Sequence, residues 1–475
     1  MNRILPTWYI LFVAVAAPAV ASPPQAVAIA LADAKTLPPD RARHTKYLDL
    51  TYKVSDEERQ KAFEWISFHL NQLSKESEIV QPRLVGPHRE LVAFDIRDYG
   101  IDRMVYGKLL AANDPYFHVQ ADVTVTDGYG RKYVERRFLA APWVGPAGIA
   151  ELYTLTDSQV PILRADWFLY QTGQQKDRVV GYYDILGIGK TENDFLKFVG
   201  VDVKLAEEKK KEMRAAVGKS GVTLNNRAIQ RLQSITGGFW RTEDFKSSVD
   251  KQNTLRLLDG ATQPPHGDAT EQYGSLANGL FVFFLANDKG ERQDAAPDFI
   301  AGDKKSSSND TRVHICISCV RCHVEGLRPI NDFARTLFRD RGQLRSLSYD
   351  KIKRLRQVYL SDLPGQLDLD VAYYAAAVRK CNGLDVVDNS RLFASAWADY
   401  ESDLGLEEIA WEVGVGVEVL KQKLAPYIVD DPGAPGGKLF DPVVGGLLQN
   451  PPIRMRREHF EETYLIFQRA VGGVP

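Results

Sequence analysis

Residues 314–323 read His-Ile-Cys-Ile-Ser-Cys-Val-Arg-Cys-His, so three of the chain's four cysteines fall within seven positions and a histidine directly follows the last of them. No other stretch restricts the fold as much, because Cys319, Cys322 and His323 form Cys-x-x-Cys-His, the attachment pattern of haem c. The spacing has a chemical cause. Two intervening residues let one turn of chain present both sulfurs to the two vinyl groups along one porphyrin edge. The adjacent histidine is then carried under the ring, where its imidazole reaches the iron. With 4 Cys and 8 His in 475 residues, only roughly 0.0006 such pentapeptides are expected by chance, so chance is set aside.

The N-terminus points to the compartment. Met1-Asn2-Arg3 is a short positive region, residues 4–17 are almost wholly apolar, and Ala19-Val20-Ala21 gives the small-x-small pattern that signal peptidase reads. The expectation is a signal peptide over 1–21, cut after Ala21, and an exported, periplasmic protein. Pro6, Pro18 and the shortness of the apolar run speak against an uncleaved anchor, and no later stretch is long and apolar enough to span a bilayer. No cysteine at the cut means no lipoprotein. Sixty basic against 62 acidic residues, a formal charge of −2, give no bulk reason to expect nucleic acid as a partner.

Other chemistries compete for the cysteines. A zinc site from three cysteines and His323 fails sterically, because adjacent Cys322 and His323 do not easily reach one tetrahedral ion. An iron–sulfur cluster on Cys316, Cys319, Cys322 and Cys381 has workable spacing. Export opposes it, since clusters are inserted in the cytoplasm and folded cargo needs a twin-arginine signal that this chain lacks. A redox disulfide between Cys319 and Cys322 would not need His323. The expectation is one covalent haem c on Cys319 and Cys322, with His323 as proximal iron ligand; the cluster and the disulfide remain as alternatives. Cys316 and Cys381 are then the spare thiols of an oxidising compartment and are expected to pair, the alternative being two buried free cysteines.

Ordinary globular composition, 44% hydrophobic and 26% charged, and the length allow two or three domains. The pattern reads as a multidomain α+β chain: an Ala/Pro-rich linker over 22–44, an N-terminal α+β domain over 45–160, a central α+β region over 161–300, the haem segment over 301–345 and a mostly helical region over 346–475. Ser55 with Glu58 forms a capping box, and Phe63, Ile66, Leu70 and Leu73 predict one buried helix face. Strands are expected around 92–96, over 118–126, from Lys132 after the Asp127-Gly128 turn, and over 280–286. A helix is expected over 205–217, stopping at Gly218, and further helices over 348–360, 367–381, 390–402, 405–413 and 456–470. Gly187-Ile-Gly189-Lys190-Thr191 imitates the end of a phosphate-binding loop, but Asp184 occupies the position of its first glycine. The charge run 207–211 reads as a solvated helix face.

Several segments carry a resemblance: Tyr47-Leu48, Leu70-Asn-Gln-Leu73, Asp95-Ile-Arg-Asp-Tyr-Gly100, Asp114-Pro-Tyr-Phe-His118, Ala165-Asp-Trp-Phe168, Asn225-Asn-Arg227, Phe239-Trp240, the stretch 268–280 with Asp288-Lys-Gly290, the Cys-x-x-Cys-His motif, and Arg457 with Phe460-Glu461. With these the chain resembles a family of large exported c-haem proteins of planctomycetes and myxobacteria. The resemblance implies a single haem in a large non-haem body and brings no reaction with it. The chain departs from the family pattern at Leu232 and Gly267, where that pattern tends to have histidine, and at Cys316, where a small residue without a thiol is more usual.

The sixth iron ligand has no obvious source. Met104, Met213, Met455, His118, His266, His314 and His459 are all conceivable, and no methionine follows His323 at the usual distance. His266 lies one place before a family histidine position, in the loop Pro264-Pro265-His266-Gly267, and is the expected distal ligand. Axial ligation sets both potential and openness to small molecules. The functional expectation is one-electron transfer to an unidentified redox partner. The alternatives are a haem enzyme or small-ligand sensor with an open iron, or a binding protein whose fold the haem completes.

Overall fold

The computed structural model describes residues 23–472 apart from 54, 110–113, 127–129, 142–143, 145–147, 177–178, 210, 218–226, 246–266, 297–301, 304–311, 338–343, 346, 431–437, 441–444 and 449–451. The expected signal peptide, the Asp127-Gly128 turn and His266 lie outside the described residues.

The chain enters through two helices, α1 (Pro23–Thr36) and α2 (Pro39–His44), where a linker was expected. Prolines are tolerated in a first helical turn, and Ala26, Ala30 and Ala34 bury a four-residue-spaced row that lets α1 lie close to the sheet behind it. Asp33 of α1 accepts from the Tyr47 hydroxyl at 2.9 Å and pairs with Arg83 at 3.0 Å. Next come β1 (Thr45–Asp49), α3 (Asp56–Gln72), β2 (Arg83–Val85) and β3 (Leu91–Asp95), then the paired strands β4 (His118–Thr126) and β5 (Lys132–Ala140), and β6 (Ile162–Arg164) running directly into α4 (Ala165–Thr172). The first sheet has the order β2-β3-β1-β6, and β1 and β6 are parallel, with Tyr47 opposite Ile162 and Asp49 opposite Arg164. This pairing crosses the boundary expected at 160, so 45–160 is not closed on itself.

After α5 (Glu192–Phe198) the second sheet is an antiparallel meander of β7 (Met213–Val217), β8 (Arg227–Gln233), β9 (Gly238–Asp244), β10 (Ala269–Ser275) and β11 (Phe281–Asn287). The helix expected over 205–217 is in fact a short helix, Val203–Glu208, followed by β7. The Ala-rich stretch pairs with β8 instead, and its Arg214 and Glu212 form a buried ion pair that Arg354 joins at 2.8 Å. Tertiary pairing overrides helix propensity here.

The motif helix α6 (Ile317–His323) precedes α7 (Tyr349–Tyr359), α8 (Leu363–Asn382), α9 (Val386–Glu401), α10 (Leu406–Glu412) and α11 (Arg457–Ala470), close to the expected helices. The capping box of α3 forms, with Ser55 and Glu58 exchanging bonds of 3.1 and 3.2 Å. Its last two turns, however, are buried all round rather than on one face. Trp65 meets Trp397 of α9 at 4.9 Å and Phe68 meets Phe393 at 4.7 Å, so the C-terminal helices enclose α3. On the second sheet Phe281 stacks on Tyr374 of α8 at 4.1 Å, while Phe284 on the opposite face stacks on Phe195 of α5 at 4.8 Å. One apolar core thus runs from α1 through both sheets to α11. The fold is α+β with a mostly helical C-terminal region, and the expected regions share that core. Among the described residues no helix is long and apolar enough to cross a membrane.

A buried polar hub ties the first sheet to the C-terminal helices. Arg164 pairs with Asp166 at 2.7 Å and with Glu412 of α10, which also accepts from Arg457 of α11 at 2.8 Å. Two guanidiniums and two carboxylates cancel. Glu461 of α11 forms no ion pair among the described residues and accepts from the hydroxyls of Tyr400 and, at 3.2 Å, Tyr116. Burial pushes the Glu461 carboxyl up to about 7, whereas Arg164 and Arg457 outweigh burial at Glu412 and bring it down to about 2.

The two carboxyls act on stability in opposite directions. Glu461 holds its proton more tightly when folded, so its cost grows as pH rises from the ordinary 4.5 to about 7. Glu412 holds its proton less tightly, so its contribution is present above 4.5 and is lost as pH falls toward about 2. Glu461→Gln should therefore raise the calorimetric melting temperature near pH 8, an effect on the order of 2 kcal/mol, and leave it unchanged near pH 4. Glu412→Gln should destabilise near pH 7 by about 3 kcal/mol, because it leaves the buried Arg164 and Arg457 guanidiniums with Asp166 as their one ion-pair partner among the described residues.

Candidate functional site

The motif is delivered by a short strand and a sharp turn. Val313–His314 pairs with Ala295–Ala296, and the Ile315 amide donates to Asp294 O at 3.0 Å. Cys316 then adopts φ 63°, ψ −68°, a left-handed conformation rare for a residue with a side chain. The Ile317 amide closes a γ-turn onto Ile315 O at 2.8 Å and also reaches Gly173 O at 2.7 Å. Gly173 ends α4, and a Cβ there would sit 2.7 Å from Leu169 O and 3.3 Å from the Trp397 ring, so only glycine permits this approach. Strain of this kind costs on the order of 1–3 kcal/mol and persists only where the surroundings impose it.

From the turn α6 runs for two turns toward β10. Cys319 is buried and Cys322 half-buried; three residues apart, they lie one above the other on the helix. Burial, with a contribution from the Glu271 carboxylate, pushes the Cys319 thiol well above the ordinary thiol range, so it is neutral as a thiol. Between them Val320 enters the core and Arg321 forms a buried double ion pair, with Asp303 at 3.1 Å and Glu401 of α9 at 2.5 Å, its guanidinium lying over Trp397.

His323 ends the helix against the second sheet. Its Nε2 is 3.1 Å from the Tyr273 hydroxyl, the rings meet edge-to-face at 4.9 Å, and Phe283 of β11 lies 6.5 Å away. Its Nδ1 is buried and makes no hydrogen bond of normal geometry. Burial lowers the imidazole's affinity for a proton, with Glu271 pulling the other way. Glu271, two residues before Tyr273 on the same face of β10, accepts from Arg227 at 2.8 Å, and Arg227 also pairs with Asp244 at 2.7 Å. The Glu271 carboxylate and the Arg227 and Arg328 guanidiniums are thus the charges that act on the histidine.

The three expected attachment residues are therefore brought together on one helix. They fit a covalent haem c: two thiols one turn apart, one of them half-buried, and an imidazole at the helix end whose Nε2 meets the Tyr273 hydroxyl while its Nδ1 makes no hydrogen bond of normal geometry among the described residues. An iron–sulfur cluster fits less well. Cys316 Sγ turns away to Gln72 Oε1 at 3.8 Å, Cys381 Sγ bonds Ala377 O within α8 at 3.4 Å, and among the described residues no three Cys, His, Asp or Glu side chains converge as a metal set.

The expected Cys316–Cys381 disulfide is not formed, and both thiols are free and fully buried. Each faces its own partner, and enclosure in the core takes the place of the cross-link. After denaturation without reductant, a protein with Cys319 and Cys322 blocked should titrate two thiols, and replacing either Cys316 or Cys381 by serine should leave one. Zero thiols would restore the disulfide.

The distal candidates are dispersed. Met104 is exposed, Met455 pairs with Leu404, His459 lies on the surface of α11, and His118 is held by Asp114 at 2.9 Å. His266 lies outside the described residues, although Gly267 beside it is anchored to Glu243 at 2.8 Å. Leu232 stands opposite Phe239, one register position off the Trp240–Tyr273 row, so a histidine there would face away from His323. Sequence reasoning missed the Arg227–Glu271–Tyr273 row as a unit, because the antiparallel register that aligns it is not encoded locally. Compared with known proteins, the chain matches no family model, no curated protein and no solved structure.

Proposed function

We propose that the protein carries one covalently attached haem c, bound through Cys319 and Cys322 with His323 as proximal ligand, and acts as an exported one-electron redox protein. The carrying observation is the placement of both thiols on successive turns of one anchored helix, with the adjacent imidazole at its end. Such a group supplies reversible one-electron chemistry, whose potential the protein sets through axial ligation, burial and nearby charge. Glu271, Arg227 and Arg328 are the charged groups that act on His323 and would contribute to that potential. His266 is the proposed distal ligand, and the resemblance to exported c-haem proteins agrees with the assignment.

Produced in a host that matures c-type haem, the protein should keep its haem through acid–acetone extraction and denaturing electrophoresis. Cys322→Ala should leave it loosely held, and His323→Ala should change the visible spectrum. Complete extraction of haem from the unaltered chain would sink the reading. With His266 bound, the ferric protein should be low-spin and resist carbon monoxide, and His266→Ala should make it high-spin and reactive. A high-spin unaltered protein would instead favour an enzyme or sensor.

A further inference from the structure

The hydroxyl of Tyr273 reaches His323 Nε2 at 3.1 Å from a strand fifty residues earlier in the chain. Tyr273 is only 3% exposed and stands in a transverse row of the second sheet, opposite Trp240 of β9 and Phe283 of β11. The row is held on both sides. Phe283 meets the Tyr273 ring edge-on at 5.6 Å. Trp240 is itself anchored, its Nε1 donating to Asp370 of α8 at 2.8 Å, and Arg231 pairs with the same carboxylate at 2.9 Å. A ring boxed in this way puts its hydroxyl at a set point, so the sheet orients the imidazole as well as the motif helix does.

What that contact occupies follows from the chemistry of the ring. Each nitrogen of a neutral imidazole offers one N–H or one lone pair, and a nitrogen that binds a metal gives its lone pair to it. Such a nitrogen serves one partner at a time. Burial disfavours the charged imidazole and keeps the Tyr273 phenol protonated, so a hydroxyl proton is there to donate. Just past the motif, a positive-φ turn at Gly326 folds the chain back, its amide donating to His323 O at 2.9 Å, and the Gly326 backbone favours a proton on the ring. With Nε2 facing the phenol, that proton belongs on Nδ1 and the lone pair on Nε2. The phenol also has a second acceptor beside it. Glu271, two residues earlier on the same face of β10, acts on Tyr273 and is fixed by Arg227 at 2.8 Å.

We propose that Tyr273 is a positioning residue for haem attachment: its hydroxyl holds the Nε2 lone pair of His323 in the unloaded chain, yields it to the iron on loading, and turns to Glu271. The inference rests on the haem c reading and adds to it the residue that keeps the iron ligand in place beforehand.

Calorimetric melting of the full mature chain, unloaded and reduced or loaded in a host that matures c-type haem, tests it. Tyr273→Phe keeps the ring and removes the hydroxyl. It should lower the melting temperature of the unloaded chain by roughly 1–2 °C and leave the loaded chain unchanged. A tyrosine with a merely structural role would lower both alike. A second measurement needs no variant at Tyr273: long-range proton–nitrogen correlation on the unloaded chain with isotope-labelled histidine, assigned by difference from His323→Ala. It should show His323 protonated at Nδ1 and bare at Nε2. A proton on Nε2, an unloaded melting temperature unchanged in Tyr273→Phe, or equal lowering in both forms overturns the proposal while covalent haem still stands. Haem extracted whole from the unaltered chain removes the haem reading, and this inference with it.

Discussion

A helix of seven residues has too few internal hydrogen bonds to hold itself together, so the geometry of α6 comes from what grips it. Arg321, the second of the two residues between the thiols, provides most of that grip. Its guanidinium reaches Asp303 on one side and Glu401 on the other and lies over Trp397. Breaking a buried pair of this kind leaves uncompensated charge in the core. Through Glu401 and Trp397 the position of the thiols is coupled to α9, and through the Trp65–Trp397 contact to α3. The attachment helix is thus braced by chain more than two hundred residues away in sequence, and a free-standing peptide of the motif would lack its geometry.

The same dependence explains why the body is large and continuous. The second sheet gives α6 its back wall on one face and rests on α5 and α7 with the other. The first sheet enters through α4, and Gly173, which caps its C-terminus, accepts from the Ile317 amide. The Arg164–Glu412–Arg457 hub closes the C-terminal helices over this junction. The partition of charge within it, four groups cancelling and Glu461 left over, sets one carboxyl to titrate near neutrality.

Local information made much of this legible. The Cys-x-x-Cys-His spacing placed three side chains on one helical turn, the Ser55–Glu58 capping box started α3, and apolar periodicity located the C-terminal helices. What failed was whatever depends on distant partners. Ala26, Ala30 and Ala34 looked like filler because alanine carries no strong periodic signal, yet small side chains are what allow α1 to lie close to its sheet. The 213–217 stretch has helical propensity but finds a strand partner in β8. Cys316 and Cys381 are matched in number and compartment, but a disulfide needs facing Cβ atoms, and Cys316 turns toward Gln72 while Cys381 is bonded within its own helix.

Three cysteines at equal intervals, Cys316, Cys319 and Cys322, pose a problem of reading frame, because Cys316 and Cys319 are spaced like Cys319 and Cys322. The left-handed kink at Cys316 resolves it by conformation. It places that residue before the first helical turn and aims its sulfur into the core, so one pair of thiols shares a helix and the other does not. Backbone strain therefore separates two pairs of cysteines that the spacing alone makes equivalent, and leaves only Cys319 and Cys322 on a common helix.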